Sequence, residues 1–311
     1  MNTLLSFAAQ AGLELTGRVL PTRGSTAWVA RRDEEFVILR RLDPAHAPPE
    51  LALTLDDIAW LHQFLTDLAQ TGFPCPVPIP GLDGTSFALH DGALWELVTY
   101  LPGNSIGWND VPTLFDVGQL MARYHQASAS IRPRAQRPRA FTVGQLHEAP
   151  VDRKLQVLLD ELADDLDRIR YHDAPRLVIH GDFTTHNVVA SGEPVAPNGV
   201  IDFALAHVET PLAELGCSLW RSGRAQQDAV ELELERVYDL VRGYADAAPL
   251  PPDSADAIAT YIRARGVQQA VNSYRRSGRR RPLLIRRARW LATNHAMLSD
   301  HVSQALEYQP R

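Results

Sequence analysis

The apolar positions change their spacing along the first third of the chain, and each change marks an element. Leu4, Leu5, Phe7, Ala8 and Ala11 fall on one side of a short helix. Leu13–Leu20, Thr26–Arg31 and Phe36–Leu42 predict three strands, with turns at Pro21–Gly24 and Arg32–Glu34. A Pro-rich loop, Asp43–Pro49, leads into Leu51–Thr71. There Leu55, Ile58, Leu61, Leu65 and Leu68 recur at three and four, the period of an amphipathic helix. Gly72 stops that helix, and Pro74, Pro76, Pro78 and Pro80 predict extended chain after it. Two more strands, Ser86–His90 and Leu94–Tyr100, run into the turn cluster Leu101-Pro102-Gly103-Asn104.

A boundary is expected at that cluster, with one lobe over 1–100, a second over 101–311, and a hinge at about 98–103. In the second lobe the helical period dominates, at about Val111–Ala129, Asp152–Tyr171, Pro211–Gly223, Ala225–Ala247, Asp253–Arg276 and Pro282–Leu306. The Arg- and Pro-rich stretch Ile131–Arg139 reads as a surface loop. One β-rich island, Arg176 to about Ala206, interrupts the helices. The expected class is α+β: a small N-terminal lobe with an antiparallel sheet, then a larger, mostly helical lobe. Clefts between such lobes are natural ligand sites.

Composition narrows the function. Of 311 residues, 45% are hydrophobic and 22% charged, which excludes a disordered or collagen-like chain. No run of about 18 apolar residues predicts a membrane span. Met1–Gln10 carries no Lys or Arg ahead of its apolar residues, unlike a secretory signal. Cys75 and Cys217 form neither a disulfide framework nor a CxxC site, so a reducing cytoplasm is expected. A net charge of −6 argues against nucleic acid as a partner. Lys154 is the only lysine among 31 basic side chains and has no glycine beside it, which excludes a Gly-Lys-Ser/Thr phosphate loop.

The chemistry sits in the β-rich island. Leu177–Ile179 is a short apolar strand that delivers His180-Gly181-Asp182 onto a loop; Asn187 begins a strand over Asn187–Ala190, and Asp202 ends another over Gly199–Ile201. Oxygen donors of this kind suit Mg²⁺, a hard cation that keeps waters and shares phosphate oxygens. Asp182 and Asn187 stand five apart, and Asp202-Phe203 follows fifteen residues after Asn187. That is the order of the protein-kinase catalytic loop and its later metal-binding Asp, with Gly181 in place of Arg and Ala204 in place of the last Gly.

His-Gly-Asp-x-x-x-x-Asn followed by Ile-Asp-Phe resembles the aminoglycoside phosphotransferase and choline kinase family, small-molecule relatives of protein kinases. The N-lobe strands, the Leu-Pro-Gly hinge and Pro211-Leu-Ala-Glu214-Leu-Gly fall in the family's order. The resemblance implies a protein-kinase-like two-lobed fold and transfer of the γ-phosphoryl group of ATP to a small-molecule hydroxyl. It implies Asp182 as the base and Asn187 and Asp202 as Mg²⁺ ligands, with His180 bonding loop backbone. His186 receives no role. Gly24, Ser25 and Thr26 fall where the family covers phosphates, and Thr99 and Leu101 where it binds the adenine edge. Strand alternation leaves Arg40 and Arg41 equivalent as phosphate contacts; the family's register favours Arg40. The helix after that strand lacks the family's usual Glu and offers only Asp56 or Asp57. The runner-up readings are a protein Ser/Thr kinase of the same family and a non-catalytic nucleotide binder. Tyr274–Arg289 holds eight arginines: against the cleft they would repel a polycationic acceptor, and otherwise they form a solvated basic face. Trp220 and Arg221, close behind the metal loop, line the acceptor or pack in the core.

Overall fold

A computed structural model describes residues 3–20, 25–42, 54–81, 84–107, 114–132, 135, 151, 153–193, 195–275 and 281–307. They fall into two compact units. One holds the described residues up to Pro102 together with Gly199–Leu205; the other holds the described residues from Gly103 to Asn198 and from Ala206 onward.

The first unit begins with helix α1 (Thr3–Gln10) and strands β1 (Glu14–Leu20), β2 (Ser25–Arg32) and β3 (Glu35–Leu42). Helix α2 (Leu55–Gln70), β4 (Phe87–His90) and β5 (Ala93–Thr99) complete it. The strands form one antiparallel sheet in the order β1-β2-β3-β5-β4. Period-2 alternation gives the sheet two different faces. Val37, Leu39, Trp95 and Leu97 bury one face against α1, where Phe7 stacks on Trp95 at 4.9 Å. Ile38, Arg40 and Glu96 alternate to the other. The β2–β3 hairpin turns through Asp33, whose φ of 56° is left-handed. Helix α2 starts with a capping box: Asp57 N–H donates to Thr54 Oγ1, and the Asp57 carboxylate accepts the Thr54 N–H at 2.9 Å. The proline run is extended and pairs along β5, with Ile79 N–H to Leu97 O at 2.8 Å and Thr99 N–H to Val77 O at 2.9 Å.

The second unit contains β6 (Asn104–Ser105), α3 (Leu114–Ser130), α4 (Arg153–Arg168), β7 (Leu177–Ile179) and β8 (Val188–Ser191). These are followed by β9 (Ala196–Val200), β10 (His207–Glu209) and α5 (Pro211–Ser222), and then by α6 (Leu234–Ala247), α7 (Ser254–Arg275), α8 (Arg281–Thr293) and α9 (His295–Glu307). Strand β7 pairs with β10, and β6, β8 and β9 form a small sheet in that order. Leucines 155, 158, 159 and 162 of α4 face Val267, Ala270 and Val271 of α7 in the helical core. Glycines allow two close helix contacts. A Cβ on Gly243 of α6 would lie 1.9 Å from Phe115 O of α3, and one on Gly216 of α5 would lie 2.5 Å from Tyr261 Cβ of α7.

The α+β class holds, and the periodicity located most elements. The differences have local causes. The helix expected from Ala225 begins only at Leu234, because Arg224–Leu232 turns back so that Glu233 N–H can reach Gly223 O at 2.7 Å. The helix expected over Pro282–Leu306 is two, α8 and α9, broken at Asn294, whose side-chain Nδ2 donates to Trp290 O at 2.8 Å. Asn187 closes a 3₁₀ turn, Thr185–Asn187, just ahead of β8 and is not the first strand residue. Apart from Ile131, Arg132 and Ala135, the expected surface loop Ile131–Arg139 lies outside the described residues. Among the described residues no helix is long and apolar enough to cross a membrane.

Candidate active site

In the second unit, β7 is three residues long because its end must turn sharply. Gly181 has a φ of 80°, which only glycine adopts freely. The turn is held from behind by Glu214, fully buried on α5. Its carboxylate accepts the backbone N–H of His180 at 2.8 Å and of Gly181 at 2.6 Å, and meets His125 Nε2 at 3.1 Å. His125 Nδ1 in turn meets the Tyr244 hydroxyl at 2.9 Å. Burial acts to raise the Glu214 pKa, but the His125 hydrogen bond, nearby positive charge and the His180 N–H together lower it, so the group is a carboxylate. Three helices thus hold one loop. Charged acceptors of backbone N–H are strong hydrogen-bond partners, and this one fixes the residue before Asp182.

Asp182 is half-buried. Its N–H donates to His180 Nδ1 at 3.2 Å, so His180 bonds loop backbone. Asn187 Nδ2 donates to Asp182 O at 2.9 Å and to Asp182 Oδ2 at 3.3 Å. This leaves the Asn187 amide oxygen as the atom able to meet a cation. Arg221 of α5 places Nη1 3.2 Å from Asp182 Oδ1. His186 is exposed.

In the first unit, Arg40 and Glu96 are directly opposed across β3 and β5 and form an ion pair through Arg40 Nε and Glu96 Oε1. The second carboxylate oxygen of Glu96 meets His62 Nε2 of α2 at 2.7 Å, and His62 Nδ1 meets Ser86 Oγ at 2.7 Å. Burial would raise the Glu96 pKa, but Arg40 and His62 overcome it and hold the group at about 2. Burial would lower Arg40; the charges of Glu96 and Asp202 outweigh it and keep the guanidinium more firmly protonated than usual. The missing helix carboxylate is therefore replaced from a neighbouring strand. Asp56 is exposed and Asp57 is engaged in the α2 cap. Arg41 points to the opposite face, with its guanidinium 5.9 Å from the Trp95 ring. Asp202 is exposed and left-handed, with a φ of 64°. Such a conformation in a residue with a Cβ is uncommon and often marks a functional turn.

The remaining expected contacts are less defined. Gly24 lies outside the described residues. Ser25 opens β2 opposite Leu42, and Thr26 is exposed opposite Arg41. Thr99 gives its N–H to Val77 O and accepts the Val77 N–H on its hydroxyl at 2.9 Å, so its backbone donor is already engaged. Leu101 follows β5 and is half-buried. Both cysteines are buried and free, and burial pushes Cys75 to about 12 and Cys217 to about 11.

Among the described residues, no group of three or more His, Cys, Asp or Glu could hold a metal. The Asn187 amide oxygen in the second unit and the Asp202 carboxylate in the first are each the kind of hard oxygen donor that Mg²⁺ takes, an ion that binds few protein ligands and completes its shell with water and phosphate oxygens. The roles of Glu96, Glu214 and His125 are not assigned by the sequence, whereas Arg221 stands there beside Trp220 as a candidate to line the acceptor site. Glu96 alternates in phase with Arg40 across the sheet and could have been found by pairing strands. Glu214 and His125 stand 89 residues apart, and nothing local links them.

The fold and this loop define a kinase-like phosphotransferase class. The family model described as the phosphotransferase enzyme family matches residues 18–250, and the chain belongs to that family. A homoserine kinase of Sinorhizobium medicae (strain WSM419) is 30% identical over 166 residues, 50% of each chain. The chain thus spans about half the length of that curated relative. The structure of a microcompartment-associated aminopropanol kinase superposes with a TM-score of 0.68 at 17% identity, over 98% of this chain and 99% of that one. That of the amicoumacin kinase hAmiN, in complex with AMP-PNP, Ca²⁺ and Ami, gives 0.67 at 16%, over 96% and 92%. The chain has the protein-kinase-like fold of these structures.

Proposed function

We propose that the chain transfers the γ-phosphoryl group of ATP to the hydroxyl of a small molecule, with homoserine, the substrate named for its curated relatives, as the first acceptor to test. The observation that carries this reading is the Asp182–Asn187 loop, buttressed by Glu214 so that one carboxylate and one amide oxygen are held in fixed relation. Asp182 accepts the proton of the acceptor hydroxyl as that oxygen forms its bond to the γ-phosphorus. The bond from phosphorus to the β–γ bridging oxygen breaks, and ADP leaves with the electron pair. Asn187 and Asp202 are the residues that would hold Mg²⁺, which would neutralise phosphate charge when bound. Arg40, fixed by Glu96, donates to phosphate oxygens. Phosphoryl transfer in this class rests mainly on positioning and charge, and the carboxylates at Glu96 and Glu214 serve the first of these.

The test is ADP release with ATP, Mg²⁺ and homoserine, with phosphorylated product identified by mass spectrometry. Mg²⁺-dependent, acceptor-dependent product formation is expected. A protein whose melting temperature rises with ATP and Mg²⁺, yet which forms no product with homoserine or a broad panel of alcohols, would contradict the reading and favour a nucleotide-binding role.

A further inference from the structure

The end of α5 brings cations to the carboxylate proposed as the base. Arg221 touches Asp182 through one nitrogen, Nη1 to Oδ1 at 3.2 Å. A guanidinium has five N–H donors in a planar fork, so this contact uses a small part of its capacity. Arg221 is half-buried, which reduces the screening of its charge.

Helix α7 runs beside α5 in a register set by two glycines. A Cβ on Gly216 would meet Tyr261 at 2.5 Å, and one on Gly266 would meet Trp220 Nε1 at 3.2 Å. Residues 261–266 therefore lie along residues 216–220, which brings Arg265 beside the Cys217–Arg221 stretch. The electrostatics agree. Burial pushes the Cys217 thiol up, and Arg265 is the strongest charge pulling it down, with Arg221 acting in the same sense. Around Trp220 the positive charge continues, with the guanidiniums of Arg224 and Arg287 at 4.2 Å and 5.9 Å from its ring. Arg287, from the arginine-rich segment, is anchored to Ala229 O at 2.7 Å and Gln227 O at 2.6 Å. Burial, followed by the charges of Arg287 and Arg221, pushes Arg224 down to about 9. Trp220 is thus a buried platform between arginines, and Arg221 is the member of this group that reaches Asp182.

We propose that Arg221, supported by Arg265, selects the acceptor: it binds an anionic group, a carboxylate by preference, on the molecule whose hydroxyl is presented to Asp182. The inference rests on the phosphotransferase reading and deepens it to a substrate class, hydroxy acids and hydroxy amino acids. A guanidinium fork matches a carboxylate in geometry and charge. The same local field disfavours acceptors with only positive groups.

The experiment compares kcat/KM within two matched pairs, homoserine against 3-aminopropan-1-ol and serine against ethanolamine, each pair differing only in the carboxylate. The wild type is expected to prefer the acid of each pair by about tenfold or more. Arg221→Gln should erase most of that preference, mainly through KM of the acid, and Arg221→Lys should restore part of it. Arg265→Gln should reduce the preference as well, and it serves as the second variant should Arg221→Gln fold poorly. Because Arg221 also touches Asp182, a purely positioning role would lower kcat for both members alike and leave the ratio unchanged; that result overturns the proposal, as does a wild type that prefers the amino alcohols. Transfer to none of the four acceptors but to other alcohols of a broad panel would overturn the selectivity alone, and transfer to no alcohol at all would overturn the kinase reading and the selectivity with it.

Discussion

Replacing Glu96 by Gln tests whether the strand-borne carboxylate anchors Arg40. The substitution keeps the shape, removes the charge and leaves Arg40 and His62 without their shared partner. Glu96 falls from an ordinary 4.5 to about 2 in the folded protein. That depression corresponds to ~3 kcal/mol of stability at neutral pH. Breaking a buried ion pair from one side costs a similar ~3–5 kcal/mol. The sign follows from the depressed value: the contribution is complete above about pH 5 and is lost as pH falls through 4.5 toward 2 and below. By linkage, less than half of it remains at pH 3. Urea unfolding of wild type and Glu96→Gln at pH 7 and pH 3, followed by tryptophan fluorescence, measures both gaps. A gap of ~3 kcal/mol at pH 7 that shrinks by half or more at pH 3 is expected. A gap below ~0.5 kcal/mol at pH 7, or one equal at both pH values, would refute the assignment of Glu96 as the ionised anchor.

Two further predictions concern the second unit. Glu214→Ala strands the buried N–H groups of His180 and Gly181, at about 1–3 kcal/mol each; unfolding free energy should fall by ~2–6 kcal/mol, and kcat about a hundredfold. Urea denaturation and steady-state kinetics read the two effects, and a kcat within twofold of wild type would show that the buttress is dispensable. Gly243→Ala sets a methyl group 1.9 Å from Phe115 O, so α3 and α6 must separate, at ~3 kcal/mol; thermal unfolding should reveal a clear loss, and an unchanged melting temperature would contradict this packing.

The local code carried much of the fold. Hydrophobic periods located β1–β3, α2 and the helices flanking the catalytic loop; α2 and α4 bury a regular stripe, Ile58, Leu61, Leu65 and Leu68 in the one and Leu155, Leu158, Leu159 and Leu162 in the other. The motif residues Asp182 and Asn187 were legible for the same reason: they lie within one loop, and their bond is made five residues apart. The buttress was not legible. Glu214 and His125 meet from α5 and α3, 89 residues apart in the chain, and the family order of Pro211–Gly216 marked the segment but not the role of its carboxylate. The sequence offers Asp56 or Asp57 in place of the absent helix Glu, but the partner is Glu96, which reaches Arg40 across the sheet while Asp57 is engaged in capping its helix. The break at Asn294 escaped notice because apolar residues continue on both sides of it.

Whether Asp182 acts as the base of a phosphoryl transfer is read from single-turnover transfer from γ-labelled ATP to homoserine with Mg²⁺, comparing wild type with Asp182→Asn, alongside equilibrium binding of ATP to both. Loss of the base should lower the rate about 10²–10⁴-fold and leave ATP affinity within a few fold. An Asp182→Asn protein that transfers phosphate at the wild-type rate would contradict the account.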